Sequence, residues 1–371
     1  MLGRDTFDGM LREDPQNDIA KYNLAALSHK VGDAIRQIEA ITATSLPYYE
    51  RSLELRESLR DQEQYSKDLT RDRVNQALAN SYLKQLEIRL LLGAPAHAYE
   101  FYRKYSEIYP NYQHEAFPLF AGDVHLHLGR TDDAQKWYER ALAQSRSRIT
   151  GAPNLARRFL AESLGKLGDL QLQLGDSDSA IGYYQQCFEA QAELVRTDPE
   201  NSDAVLKLAL AEYRLGSVSL ALKNPENAAG HFGAARDLAG SESAKDPTNA
   251  YKQVQHFLAL ARCGEHQQAA QMAGALHERV AADPGMLFYV ASCYAICASV
   301  SGSDSASSGA DNKSLREIYA TRAIDTLRQA VAHGYKDHYA LEHDPDLQSV
   351  RDHADLVTLI ESLKHEQVHK L

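Results

Sequence analysis

Three stretches of this chain carry the same residue types at the same offsets, and that periodicity constrains the fold more than any other feature. Gly122, Gly168 and Gly216 are each followed twelve residues later by Ala134, Ala180 and Ala228, and sixteen residues later by an aromatic, Tyr138, Tyr184 or Phe232. A leucine lies six residues after each glycine (Leu128, Leu174, Leu222), and a small residue nineteen after it (Ala141, Cys187, Ala235). A unit repeated at fixed spacing is a supersecondary element that buries its apolar face only by stacking on its neighbours. The spacing predicts two antiparallel helices per unit. The first stops near Leu-Gly (128–129, 174–175). The second begins at Thr131-Asp132-Asp133, at Asp176-Ser177-Asp178, or at Asn224-Pro225, where side-chain oxygens and a first-turn proline satisfy or avoid orphan amides. Small residues are expected where the helix backbones approach, with the aromatics filling space between neighbouring pairs.

Weaker copies extend the array both ways. Lys30-Val31-Gly32-Asp33 echoes Lys166-Leu167-Gly168-Asp169 and leads to Ser45, Tyr49 and Ser52. Leu92-Gly93 with Ala98, Tyr102 and Pro110 marks a second pair, and Cys263-Gly264 with Ala269 and Asp283-Pro284 another. A last pair joins 285–299 to 314–333 through Ala323, Leu327 and Ala330.

These residues resemble the tetratricopeptide repeat: Leu167-Gly168-x2-Gln171, Ala180-x3-Tyr184 and Pro199 in one copy, Leu215-Gly216, Ala228-x3-Phe232 and Pro247 in the next. Gly168 to Gly216 spans 48 residues where the common unit has about 34. The second helices are thus drawn out, similar to kinesin-light-chain repeats. The resemblance implies an all-α, right-handed superhelical solenoid of about seven antiparallel helix pairs plus a C-terminal capping segment. The expected organisation is a tail over 1–18 that need not be ordered, a solenoid over 19–333 and a closing segment over 334–371. Ser299 to Ser314, rich in Ser and Gly, reads as a mobile loop inside the last pair. The closing segment, Ala323 to Gly334-Tyr335 and then Asp344-Pro345-Asp346-Leu347, Val350-Arg351 and Leu356-x3-Ile360, resembles the end of tetratricopeptide arrays in some bacterial Ser/Thr protein kinases, and this likeness covers roughly residues 20–365. It is expected to cover the open end of the solenoid.

The chain has 371 residues and a net charge of −11, with a pI near 5.8. That balance argues against non-specific binding to nucleic acid or anionic membranes and, on charge alone, favours a basic partner. The apolar run 286–298 is too short to span a bilayer and reads as a buried helix. Residues 1–20 lack a secretory core, and the four cysteines form no paired framework, so a cytoplasmic location is expected.

Chemistry is sparse. There is no phosphate-binding glycine loop, kinase catalytic loop, dinucleotide fingerprint or nucleophile elbow, so no enzyme and no cofactor is expected. His333, His338 and His343, five apart, would converge on a metal only in a tightly folded tail, and Cys293 and Cys297 offer half a tetrahedral site with no matching pair. The resemblance places a partner-binding groove on the first helices. It brings Asp123, Asp169 and Ser217, each just after its glycine, together with His127 and Gln173 one turn on and Tyr213 one turn before. This acidic and polar ladder suits an extended peptide with basic side chains. The leading expectation is a non-catalytic protein–protein interaction scaffold linked to Ser/Thr kinase signalling. The alternatives are a ligand-sensing solenoid arm of a transcription regulator and a metal-binding protein using the histidine-rich tail.

Overall fold

The computed structural model describes residues 9–62, 64–108, 114–301 and 309–368. The tail over 1–18 is therefore visible only from residue 9, and the centre of the Ser/Gly-rich loop, 302–308, lies outside the described residues. The chain divides into two compact units, Met1–Gln113 and His114–Leu371, where the sequence reading runs one array through 19–333.

The first unit holds two helix pairs: α1 (Asp18–Glu39) with α2 (Thr42–Arg60), and α3 (Arg71–Leu91) with α4 (Pro95–Ile108). The second holds five: α5 (Phe117–His127) with α6 (Thr131–Arg148), α7 (Pro153–Gln173) with α8 (Ser177–Thr197), α9 (Ser202–Ala221) with α10 (Pro225–Lys245), α11 (Ala250–Arg262) with α12 (His266–Arg279), and α13 (Pro284–Ser301) with α14 (Gly309–Ala332). A short helix α15 (His338–His343), a 3-10 turn (Pro345–Leu347) and α16 (Ala354–Val368) close the chain. Among the described residues every regular element is helical, with two antiparallel helix pairs in the first unit and five in the second, so the all-α class and the number of pairs match the expectation.

Local chemistry sets the boundaries. Asp176 and Asn224 accept the Ser179 and Asn227 amides at the starts of α8 and α10, at 3.0 and 3.2 Å. Gly129 and Gly175 end α5 and α7 with φ of 72° and 83°, a left-handed turn that glycine adopts without penalty; Lys223 takes the same place after α9 at φ 58°. The aromatics pack toward the next pair, as expected (Tyr49 clusters with Ile88, Tyr138 with Leu164 and Leu167, Tyr184 with Leu215 and Val218), and each also seats against the glycine of its own pair's first helix. A methyl group added at Gly122, Gly168 or Gly216 would stand 2.3, 2.4 or 2.7 Å from the ring of Tyr138, Tyr184 or Phe232, and at Gly32 it would stand 2.8 Å from Tyr49. The glycine is a socket for the ring, and ring and socket recur together.

Helix α13 is long and apolar enough by length and composition to cross a membrane, but 83% of it is buried inside the fold, against α14, α12, α11 and the closing turn. It is the central helix of the second unit's core.

Candidate functional site

The residues expected to line a groove belong to a ladder of interlocks between repeats. In three repeats the aspartate after the socket glycine accepts the hydroxyl of the socketed tyrosine: Tyr49 to Asp33 at 2.8 Å, Tyr138 to Asp123 at 2.7 Å and Tyr184 to Asp169 at 2.9 Å. A cation on the next first helix completes each rung. Lys84 lies 3.6 Å from Asp33, Lys166 lies 2.8 Å from Asp123, and the Arg214 Nε donates to Asp169 at 2.9 Å. Burial pushes the Tyr138 and Tyr184 hydroxyls up, and the neighbouring carboxylates push them further, so both stay protonated donors. Burial alone would depress Arg214 and Lys166, yet Asp169 and Asp123 outweigh it and hold both cations charged. Each rung therefore sets an aspartate between a neutral hydroxyl donor and a cation, a close contact in the Asp123 and Asp169 rungs and a longer ion pair in the Asp33 rung, while tying two consecutive repeats together.

The fourth rung is different. Ser217 stands where the aspartate would be and Phe232 where the tyrosine would be, while Arg262 keeps the cation's place 45 residues on, as Arg214 does from Asp169. Arg262 lies over the Phe232 ring, 5.7 Å from its centroid. With no aspartate on its own rung, it hydrogen-bonds Asp346 of the closing segment, and Tyr213 donates to the same carboxylate oxygen at 2.7 Å.

That contact belongs to a longer engagement. Residues 335–350 run along the first-helix face of the second unit. Tyr335 stacks on Phe288 of α13 with centroids 5.2 Å apart. Asp337, 3% exposed, sits 2.5 Å from the His127 imidazole on α5. Tyr339 packs into the cluster of Leu126, Leu164, Leu167 and Tyr138, with its hydroxyl 3.5 Å from Gln173. Ser349 donates to the Ala295 carbonyl of α13 at 2.5 Å. Burial works against the charged form of His127, but Asp337 and then Asp123 raise its pKa above the usual imidazole value. Asp344 is pushed up to about 7 by burial and by Asp346 beside it.

The tail was expected to cover the open end of the solenoid. Helix α16 does pack against α14 and α15, with Asp355 2.7 Å from Arg328. Residues 335–350, however, lie along the first helices, because this stretch carries buried anchors (Tyr335, Tyr339, Leu341, Leu347, Val350) that need an apolar surface larger than one helix end. All six expected groove residues lie on this face. Asp123 and Asp169 are committed to their rungs, His127, Gln173 and Tyr213 meet the closing segment, and the Ser217 hydroxyl donates to the Tyr213 carbonyl at 3.0 Å. Sequence reasoning missed Lys166, Arg214, Arg262, Asp337 and Asp346. For the three cations, their recurrence 43 to 45 residues after Asp123, Asp169 and Ser217 was the available signal.

Among the described residues, no group of three or more His, Cys, Asp or Glu is placed to hold a metal ion. His333 turns to the Gln329 carbonyl and His343 stacks on Tyr339. Cys293 and Cys297 are buried, facing the carbonyls of Phe257 and His266.

Two tetratricopeptide-repeat family profiles match, over residues 118–193 and 166–229. No curated protein sequence matches the chain. Among solved structures, similarity extends to the BtubC protein of P. vanneervenii (16% identity, 64% of this chain and 87% of that one, TM-score 0.46). It extends also to a thermophilic TPR protein of Thermus thermophilus (20% identity, 68% and 100%, TM-score 0.37). A third is a Rap protein complexed with competence and sporulation factor (12% identity, 94% and 99%, TM-score 0.47). With the helix pairs and socketed aromatics described above, the two profile matches identify residues 118–229 as tetratricopeptide repeats.

Proposed function

We propose that this chain is a non-catalytic interaction module whose first-helix face, in the second unit, takes a polypeptide partner. The observation that supports this most directly is that the face already holds polypeptide. Residues 335–350 are gripped through stacking, ion pairing and hydrogen bonding by α5, α7, α9, α11 and α13. A preformed helical surface recognises such a segment with little ordering of its own. A link to bacterial Ser/Thr kinase signalling is the finer part of the reading and rests on the resemblance of the closing segment. A cytoplasmic setting agrees with four cysteines that remain thiols.

The test places a photo-crosslinking amino acid at Gln173, on the first-helix face, and in a parallel protein at Lys136, exposed on α6. A defined adduct from native extract at position 173 and not at 136 is expected. An adduct confined to position 136 would move the partner to the second-helix face and overturn the reading.

A further inference from the structure

The broken rung says what kind of partner the face accepts. We propose that Ser217, Phe232, Tyr213 and Arg262 form a carboxylate receptor, and that the partner is a polypeptide with an acidic, tyrosine-bearing segment chemically like residues 335–347, which binds by displacing them.

This proposal rests on the preceding one and deepens it. Every other cation of the ladder is consumed within the solenoid: Lys84 by Asp33 and Glu87, Lys166 by Asp123, Arg214 by Asp169. The face's acids are neutralised at the same contacts, so they offer little to a basic ligand. Arg262 alone among these four has lost its repeat aspartate. It is 13% exposed, and its partner must come from outside the repeats. A desolvated guanidinium without a carboxylate is costly, so this position selects for an acid. His127 makes the same demand at the α5 end, where it faces Asp337. Between them, Tyr339 occupies the apolar ground beside Gly129 and Leu126. The arrangement reads as carboxylate, tyrosine, carboxylate. The Arg262–Asp346 contact also borders an open cleft of about 280 Å³ lined by Ser299, Arg316, Gln348 and Ser349, through which a competing carboxylate can approach. Because residues 335–350 follow α14 directly, their effective concentration is on the order of millimolar, and a partner with the same contacts competes poorly until that segment is loosened.

The experiment uses the full chain carrying Asp346→Asn, titrated with a fluorescein-labelled synthetic peptide of residues 334–351. The peptide is expected to bind this variant at least about tenfold more tightly than the unaltered chain. A peptide with Asp337→Lys and Asp346→Lys should lose about tenfold or more. Ser217→Asp supplies the second arm. It restores the rung's aspartate within reach of Arg262, so hydrogen exchange of residues 335–350 should rise about tenfold, yet the acidic peptide should bind at least about tenfold more weakly than it binds Asp346→Asn. Circular dichroism checks that both variants remain helical, and exchange in Ser217→Asp alone decides the receptor's existence if Asp346→Asn does not fold. Preference for the lysine peptide, or unchanged exchange in Ser217→Asp, would overturn the carboxylate receptor and leave the face open as a partner site. If neither peptide binds a folded variant whose closing segment exchanges freely, the acidic-partner proposal falls. The cross-linking at Gln173 then decides separately whether the face binds any partner.

Discussion

The rung between α7 and α9 and the rung between α9 and α11 are built on the same backbone plan and do opposite things. In the first, Asp169, Tyr184 and Arg214 close on one another and leave no charge for a ligand. In the second, two side chains differ: Ser217 replaces the acid and Phe232 the phenol, and the arginine opposite turns to a segment 84 residues away. A repeat protein can thus change an interlock into a receptor by deletion. Removing the internal partner of a cation that recurs at the same place in successive repeats leaves a group that takes its acid from elsewhere, with no gain of any residue. The ring socket survives in both rungs, since a methyl group at Gly216 would meet Phe232 at 2.7 Å where one at Gly168 would meet Tyr184 at 2.4 Å, and the helix pair does not depend on the polar part.

The comparison can be broken most severely at the intact rung. Arg214→Ala leaves Asp169 and the buried Tyr184 hydroxyl with no cation, and about 3 kcal/mol of stability should be lost in denaturant unfolding followed by circular dichroism. Arg262→Ala should cost the solenoid distinctly less while making residues 335–350 sensitive to limited proteolysis; an equal loss at both positions would show that the two rungs carry the same load. Gly168→Leu fills the Tyr184 socket and should cost about 1–3 kcal/mol through displaced packing, read as a lower melting temperature. Tyr184→Phe converts the intact rung part of the way into the broken one. It removes one hydrogen bond to a charged acceptor, and the expected cost is about 1.5 kcal/mol.

The smallest effect is one of pH. His127 has a folded-state pKa above its usual value, so its contribution to docking is complete below about 6.5 and fades as pH rises through the raised value. Asp344, raised to about 7, binds its proton more tightly in the docked state. Docking that requires it therefore weakens between about pH 4 and 7, where the undocked carboxyl has already ionised. Both groups act in the same direction. Hydrogen exchange of residues 335–350 should be faster at pH 8 than at pH 6 after correction for the intrinsic rate, and His127→Gln should flatten the dependence.

Much of the fold was legible because it is written in short-range spacing. Glycine, alanine and aromatic recur at offsets of twelve and sixteen, and each socket is made within one unit. Even the weak N-terminal copy follows, with Gly32 under Tyr49. The site was less legible because its decisive contacts are long-range. Asp123 and Asp169 stand out in the sequence as a row of acids, but Lys166 and Arg214, which neutralise them, lie a full repeat further on. Tyr213 and Asp346 are 133 residues apart, and no local pattern links them. The tail's apolar residues could be counted from the sequence, yet whether they cover a helix end or lie along a face depends on which surface remains apolar after the repeats have stacked.

The 84 residues that separate Arg262 from Asp346 also set a clock. Synthesis proceeds at about 5–20 residues per second and early parts of a chain fold first. Arg262 therefore exists for about 4–17 s before its intramolecular acid is made. Over that interval the face has no competitor in the same molecule. A protein that meets the nascent chain binds on different terms from one that meets the finished chain, and the order of encounter, as much as affinity, decides which acid Arg262 holds.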